Sequence, residues 1–241
     1  MKKLSKTAEL LWLFGIIFVA LGVAICSKAD LGVSMIAAPA FVVHGAICRI
    51  WESISVGVVE YAIQGVLLIL LCGIIRKFHW RYLLAFAVAV LYGYALNFFI
   101  WILESIQPSS VTQRWIMLLI GDIVTAFGVA CFFRTYMPLQ VFELFVTEIS
   151  NHFHLKISTV KTIFDYSLLV ISIVLAFVLF LDANTFPWSS ITKTSYHSIG
   201  LGTIVTTAIN SPLINLMGKI LDKIFSPSAR FTKMENLLKS K

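Results

Sequence analysis

Long apolar runs separated by short polar segments dominate the pattern of this chain. A bilayer crossing needs about 20 apolar residues, and six runs meet that length, at roughly 8–26, 55–75, 82–103, 115–133, 160–181 and 197–217. Two shorter pieces follow the first and fourth runs, at 33–50 and 138–153. The pattern predicts an all-α polytopic membrane bundle with six transmembrane helices and two short re-entrant or interfacial helices. The first short piece is also compatible with a full span.

The second short piece is amphipathic. Glu143 and Glu148 stand beside Phe142, Phe145 and Ile149, a spacing that gives a helix one charged face and one apolar face. Such a helix cannot face lipid on all sides.

Composition supports a membrane location. Hydrophobic residues make up 59% of the chain and charged residues 13%, whereas a soluble domain is about half apolar and a quarter charged. The net charge of +7 does not indicate nucleic-acid binding, because the basic residues concentrate in both ends of the chain and in one loop. This is the positive-inside distribution of membrane proteins, so we expect the lipid bilayer to be a partner and nucleic acid not to be one.

The basic residues also predict the orientation. They lie in the N-terminal tail, in the loop with Arg76, Lys77 and Arg81, and after the sixth run. Six spans place all three regions on one side, which is the cytoplasm by the positive-inside rule. Both termini are then cytoplasmic. Six spans fit this distribution better than seven, and eight would move the loop at 76–81 outside and weaken the pattern.

A repeated pattern divides the chain into two units. One constant offset relates Gly15, Ala20, Gly22, Val23, Ala24 and Lys28 to Gly121, Ala126, Gly128, Val129, Ala130 and Arg134. Glu60-Tyr61 likewise matches Asp165-Tyr166, and the stripe Ala85, Ala89, Gly93 and Asn97 matches Ser198, Gly202, Thr206 and Asn210. Apolar residues recur by chance, but the matched polar positions are harder to explain in that way.

The number of spans in each unit predicts how the units are related. Three spans are an odd number, so the second unit enters the membrane from the opposite side, as in the inverted repeats of many secondary transporters. We expect a first repeat at 1–104, an inverted second repeat at 115–218 and a basic cytoplasmic tail at 219–241.

The first span of each unit ends in a cation followed by a helix break. Lys28 precedes Asp30 and Ser34, and Arg134 precedes Pro138. Discontinuous helices build binding sites inside membrane proteins, and cations together with helix N-termini favour an anionic group. The alternative is that Lys28 and Arg134 extend to the membrane surface.

Three carboxylates fall within the predicted spans, at Glu60, Asp122 and Asp165. Each costs at least a few kcal/mol in the bilayer unless it is paired, protonated or hydrated, so each is a functional candidate. The alternatives are that Glu60 and Asp165 reach the headgroups and that Asp122 bonds a neighbouring helix. Lys161 lies one helical turn before Asp165, a spacing at which its ammonium group would neutralise the carboxylate.

Five neighbouring residues complete the candidate site for a substrate or an ion. Tyr61 and Tyr166 follow two of the acids directly, and Gln64, Asn97 and Asn210 are amides within spans. For the three amides, helix packing through hydrogen bonds is the preferred interpretation.

Motifs of enzymes are absent from the sequence. There is no Gly-x-Ser-x-Gly, P-loop or His-Glu-x-x-His, and His152 and His154 are too close together to act as opposing zinc ligands on one helix face. The four cysteines have no metal-binding spacing. We therefore expect no enzymatic activity, no bound metal and no cofactor.

Several short motifs resemble one family. They are Ser27-Lys-Ala-Asp-Leu-Gly-Val-Ser34, the Glu60-Tyr61 span that ends in Arg76-Lys77-Phe78, Leu91-Tyr-Gly93, and Gly200-Leu-Gly-Thr203 with Asn210-Ser-Pro-Leu213. Over nearly the whole chain they resemble the YczE/YyaS/YitT type of bacterial integral membrane protein. The resemblance implies a location in the bacterial cytoplasmic membrane and implies little about a substrate.

The leading hypothesis is secondary transport or export of a small organic molecule. Glu60 and Asp165 would handle a proton or a cationic group, while Lys28 and Arg134 would lie at the two ends of the pathway. One alternative is a binding or regulatory subunit that captures a substrate for an energising partner, and another is a lipid-handling or structural membrane protein. A homo-oligomer or a membrane partner is compatible with these hypotheses.

Overall fold

Eight α-helices and one small strand pair make up the part of the chain that the structure describes. The computed structural model describes residues 4–5, 8–76, 78–180 and 199–226. The helices are α1 Ala8–Lys28, α2 Ala38–Ile47, α3 Val56–Ile75, α4 Arg81–Ile102, α5 Val111–Phe132, α6 Val141–His152, α7 Ile157–Leu179 and α8 Leu201–Ile224. Two short strands, β1 Leu4–Ser5 and β2 Phe225–Ser226, pair in parallel. The predicted loop at 182–196, Ser198 and the tail beyond Ser226 lie outside the described residues.

Six of the helices are long and apolar enough to cross a membrane, namely α1, α3, α4, α5, α7 and α8. The predicted class, a polytopic all-α membrane protein, is therefore confirmed. Two predicted ends are corrected. The fourth span begins at Val111, because the Ser110 hydroxyl accepts a hydrogen bond from the backbone N–H of Gln113 and caps the helix there. The sixth span continues to Ile224, so the first residues of the predicted tail are helical.

The two short helices are too short to span. Their 10 and 12 residues extend about 15–18 Å at 1.5 Å per residue, against a hydrocarbon core of about 30 Å. Residues 31–40, which lead into α2, are all buried, while Ile50 and Trp51 after it are exposed. Similarly, α6 begins after buried Gln140 and ends before exposed Phe153. Both helices thus start among the spans and end at the surface.

Helices α1 and α5 cross in close contact at glycines. A Cβ on Gly22 would lie 2.6 Å from the carbonyl oxygen of Gly121 and 2.5 Å from the backbone nitrogen of Thr125. A Cβ on Gly128 would lie 3.0 Å from the carbonyl oxygen of Gly15. Because the later glycine of α1 meets the earlier glycine of α5, the two helices run antiparallel.

The helices pack in related pairs across two halves, α1–α4 and α5–α8. Within the halves, α1 packs against α4 and α5 packs against α8. Between the halves, α2 packs against α7 and α3 packs against α6. If α1 to α4 are exchanged in order with α5 to α8, the α1–α4 pair becomes the α5–α8 pair. The α2–α7 pair becomes the α3–α6 pair in the same exchange.

The stripe of small residues on α4 lies against α3. A Cβ on Gly93 would lie 2.7 Å from the carbonyl oxygen of Gly57, so the absence of side chains permits this approach. Asn97 closes the end of the contact, because its Oδ1 accepts from the Gly57 N–H at 2.9 Å and its Nδ2 donates to Ser55 Oγ at 2.9 Å. These hydrogen bonds agree with the interpretation of Asn97 as a helix-packing residue.

Candidate functional site

Four carboxyl side chains are buried where the two halves meet. Glu60 of α3, Asp122 of α5, Glu143 of α6 and Asp165 of α7 are each no more than 1% exposed. Glu60 and Asp165 therefore do not extend to the headgroups, the alternative raised by their positions in the sequence.

These four residues and Lys161 of α7 interact electrostatically and are here called the buried cluster. Glu60 interacts with Glu143, and Glu143 interacts with Lys161 and Asp165. Asp122 also interacts with Lys161 and Asp165. Burial penalises every charge, and four carboxylates beside one ammonium group leave an excess of negative charge when all are ionised. Such a cluster is suited to holding protons or a cationic group.

Asp165 is the best-partnered carboxylate of the cluster. Lys161 Nζ lies 2.5 Å from Asp165 Oδ1, which confirms the predicted pair one helical turn apart. Asn210 of α8 donates from Nδ2 to Asp165 Oδ2 at 3.3 Å. One ion pair and one amide thus hold this side chain between α7 and α8.

The other carboxyl groups are less satisfied. Within the described part of the chain, both oxygens of Glu60, both oxygens of Asp122 and Oε2 of Glu143 lack a hydrogen bond of normal geometry. The alternative raised for Asp122, a hydrogen bond to a neighbouring helix, is therefore not formed with any described residue. The amide of Gln64 and the hydroxyl of Tyr92 are also buried without such a bond to any described residue. Buried polar groups are normally satisfied, so exceptions that cluster together mark a candidate site.

The described residues do not form a recognisable metal centre. Within the ranges described, no group of three or more His, Cys, Asp or Glu is placed to hold a metal ion.

The two halves differ at one decisive position. Lys161 stands four residues before Asp165, whereas Val56 stands four residues before Glu60, its counterpart in the first half. Glu60 therefore has no lysine on its own helix at this spacing. At these matched positions, Lys161 is cationic and Val56 is neutral.

Two of the clefts among the described residues open at opposite ends of the bundle. The Lys28 cleft, of ≈400 Å³, is lined by Lys28, His44, Ser55, Val56, Asn97, Ile100, Trp101 and Glu104. The Lys161 cleft, of ≈250 Å³, is lined by Phe133, Arg134, Ile157, Ser158, Lys161, Ser211, Ile214 and Asn215. Lys28 ends α1 and Arg134 follows α5, so the antiparallel packing of these helices puts the clefts at opposite ends.

The clefts use matched positions of the repeat. Lys28 and Val56 line the first cleft, and their counterparts Arg134 and Lys161 line the second. The cations predicted at the two ends of a pathway thus border two separate clefts.

The charged residues near the helix breaks also have structural partners. Arg134 Nε and Asp222 Oδ1 are 2.7 Å apart, and this pair ties the end of α5 to α8. Asp30 pairs with Arg114 at 2.8 Å. Ser34 is fully buried at the entry to α2, with its hydroxyl 3.6 Å from the sulfur of Met35.

The two candidate tyrosines point away from the buried cluster. The Tyr61 ring packs edge-on against Phe86, with ring centroids 6.5 Å apart. Tyr166 is 45% exposed on the outer surface of α7. Their neighbours Glu60 and Asp165 point inward, because adjacent positions on a helix lie on different faces.

Glu143 is the member of the cluster that the sequence analysis did not select. Its sequence pattern places it only on the charged face of an amphipathic helix. The available signal was its position in the first turn of a helix that follows a break at Pro138, since a helix N-terminus favours a negative charge. Tyr92 carried no comparable signal.

Comparison with known proteins places this architecture in a family. Neither the curated proteins nor the solved structures contain a match to the chain. Residues 6–219, most of the chain and all six long helices except the end of α8, match one family model. The chain is therefore a multi-pass helical membrane protein that belongs to DUF6198, a family of unknown function.

Proposed function

We propose that this protein is a secondary transporter of a small organic molecule and that it works by alternating access around the buried cluster. The observation that carries the proposal is the pair of clefts at opposite ends of the bundle. Matched positions of the repeat line the two clefts, and the helices beside them contain the buried acids Glu60 and Asp165. A transporter needs an access route from each side to one central site, and the two clefts support such routes because their walls include the residues one helical turn before Glu60 and Asp165.

The relation between the halves supports an inverted repeat. The sequence offsets, the antiparallel crossing of α1 and α5 and the exchangeable helix pairings each agree with a two-fold relation in the membrane plane. In transporters of this architecture, substrate and coupling-ion sites lie near the bilayer midplane at the repeat interface, beside discontinuous helices. The composition of the buried cluster agrees with a site at the repeat interface, because Glu60 comes from the first half and its other members come from the second.

The roles of the charged residues follow from this placement. Glu60 and Asp165 take up a proton or a cationic group inside the protein, while Lys28 and Arg134 border the entrances. The proposal includes a bacterial cytoplasmic membrane location with both termini in the cytoplasm. The resemblance to the YczE/YyaS/YitT type of protein and the distribution of basic residues support that location.

Reconstitution of the single chain tests the transport function. Proteoliposomes that contain a pH-sensitive dye would be exposed to a panel of small organic acids, amines and neutral metabolites. We expect at least one compound to drive proton movement in the wild type, and we expect Glu60→Gln and Asp165→Asn, singly and together, to remove it. Unchanged flux and pH dependence in membrane-inserted variants would contradict the proposal.

The matched control is Glu52→Gln, which removes an exposed carboxylate in the loop before α3 and should leave the flux intact. A capture subunit, in contrast, would move nothing by itself and would co-purify with an energising ATPase.

A further inference from the structure

We propose that the Lys161 cleft binds a small carboxylate and that Lys161 exchanges Asp165 for the carboxylate of this ligand. The inference rests on the proposed function and deepens it by assigning a substrate class to one of the two clefts.

The residues that line the cleft favour an anion. Lys161 and Arg134 supply positive charge, and their partners Asp165 and Asp222 are not among the lining residues. Ser158, Ser211 and Asn215 supply hydrogen-bond donors, and none of the lining residues is acidic. Its ≈250 Å³ correspond to about eight water molecules at ~30 Å³ each. A molecule of about six to ten non-hydrogen atoms is suited to this space.

The wall of the cleft contains an unpartnered donor. Ser211 is 7% exposed, and its hydroxyl forms no hydrogen bond with the described residues. It directly follows Asn210, the residue that holds Asp165. A ligand oxygen in the cleft would give the Ser211 hydroxyl an acceptor close to the Lys161–Asp165 pair.

The ion pair determines what must happen to charge when such a ligand binds. If the Lys161 ammonium turns to the ligand, Asp165 loses its cation while it remains buried. Carboxyl groups of Asp122 from α5 and Glu143 from α6 also face it. Of the other helices against α7, α8 contributes neutral Asn210.

The remaining neighbour, α2, has one titratable side chain, His44, whose Nε2 lies 3.1 Å from the carbonyl oxygen of Ile54. None of these neighbours supplies a replacement cation, and Arg134 of the same cleft is paired with Asp222. An unpaired buried carboxylate is strongly unfavourable. Asp165 therefore takes up a solvent proton to form a neutral carboxyl group, while Lys161 stays protonated and the ligand stays ionised. The anion brings one negative charge and the proton one positive charge, so the site keeps its net charge.

Ligand binding to the purified full-length chain tests the inference without transport. The probes are straight-chain monocarboxylates from acetate to hexanoate, with the primary amide and the primary amine of each chain length as controls. We expect carboxylates to raise the midpoint of thermal unfolding, because a ligand of the native state stabilises it. Amides and amines should have no effect.

Proton uptake provides the second readout. In weak buffer with an indicator dye, binding should take up about one proton per carboxylate, and the affinity should rise ~10-fold for each unit of pH decrease. Asp165→Asn should still bind carboxylate, because it frees Lys161, but it should take up no proton and lose the pH dependence. Ser211→Ala should weaken binding several-fold and leave proton uptake per bound anion unchanged.

A charge-neutral variant gives the negative control. Lys161→Met alone leaves Asp165 unpaired, so the double variant Lys161→Met/Asp165→Asn removes both charges and should fold without binding carboxylate. Ser167→Ala, on the exposed side of α7, should bind like the wild type. Stabilisation by amines alone, carboxylate binding that persists in the double variant, or no stabilisation by any carboxylate would overturn the inference.

The two proposals fail in different ways. Carboxylate binding without flux in proteoliposomes contradicts transport and retains the anion site. Flux of amines or neutral compounds in a protein that binds no carboxylate contradicts the anion site and retains transport.

Discussion

At the residue scale, the sequence predicts side-chain neighbours best where they share a helix. Lys161 and Asp165 are four residues apart, and this spacing alone brings them onto one face. The burial of Glu143 could not be read in this way, because the same amphipathic pattern suits a helix on the membrane surface and one packed between α3 and α7. Which face is covered depends on contacts between distant parts of the chain.

The Lys161–Asp165 pair makes a prediction about stability. Lys161→Met and Asp165→Asn should each lower the free energy of unfolding by about 3–5 kcal/mol, because each leaves one buried charge unpaired. The double variant should lose clearly less than the sum of the two single losses. Unfolding in detergent, followed by helical circular dichroism, measures all four proteins of this cycle. Additive losses would show that the two side chains are energetically independent.

At the scale of elements, the six spans were predictable because apolar length depends mainly on the thickness of the bilayer. The helix ends were less predictable, since the start of α5 depends on the cap at Ser110 and the extension of α8 passes through charged residues. The depth of α2 was also open. A short apolar helix looks alike in sequence whether it spans or re-enters, and the observed length of α2, 10 residues, excludes a full span.

The crossing of α1 and α5 predicts a specific sensitivity to side-chain size. In Gly22→Ala, the added methyl would lie within 2.6 Å of backbone atoms of Gly121 and Thr125, so the helices must separate. We expect a loss of about 1–3 kcal/mol, as for other overpacked sites. Thermal unfolding in detergent measures the loss.

Gly73 provides the matched control on α3. A Cβ there would meet nothing within 4 Å, and alanine is the better helix former by about 1 kcal/mol. Gly73→Ala should therefore be neutral or stabilising. A loss equal to that of Gly22→Ala would mean that the close crossing is not the cause.

At the scale of the whole molecule, the sequence predicted Lys28 and Arg134 at the two ends of a pathway, but it did not predict the clefts that these residues line. Lys28 and Arg134 were recognised as a pair from their spacing. A cleft depends on the space left between several helices, and no local pattern encodes that space. The difference between Val56 and Lys161 matters for ligand binding because each residue lines a cleft, which the sequence does not show.

The proposed inverted arrangement predicts which loops lie on the same side of the membrane. Single cysteines at Glu52→Cys and Phe153→Cys, both exposed, would be introduced after the four native cysteines are replaced. A membrane-impermeant maleimide should label the first in intact cells and the second only after the membrane is opened. Phe78→Cys, in the basic loop, should behave like Phe153→Cys. Labelling of all three from one side would exclude the inverted arrangement.

The pairing of β1 with β2 determines whether the chain between them crosses the membrane an even or an odd number of times. Two strands of two residues contribute little stability, yet Leu4 and Phe225 can be partners only if both ends of the intervening chain return to the same face of the bilayer. An odd number of crossings would separate them by the ~30 Å of the hydrocarbon core. This contact does not depend on hydropathy, and it independently requires an even number of membrane crossings.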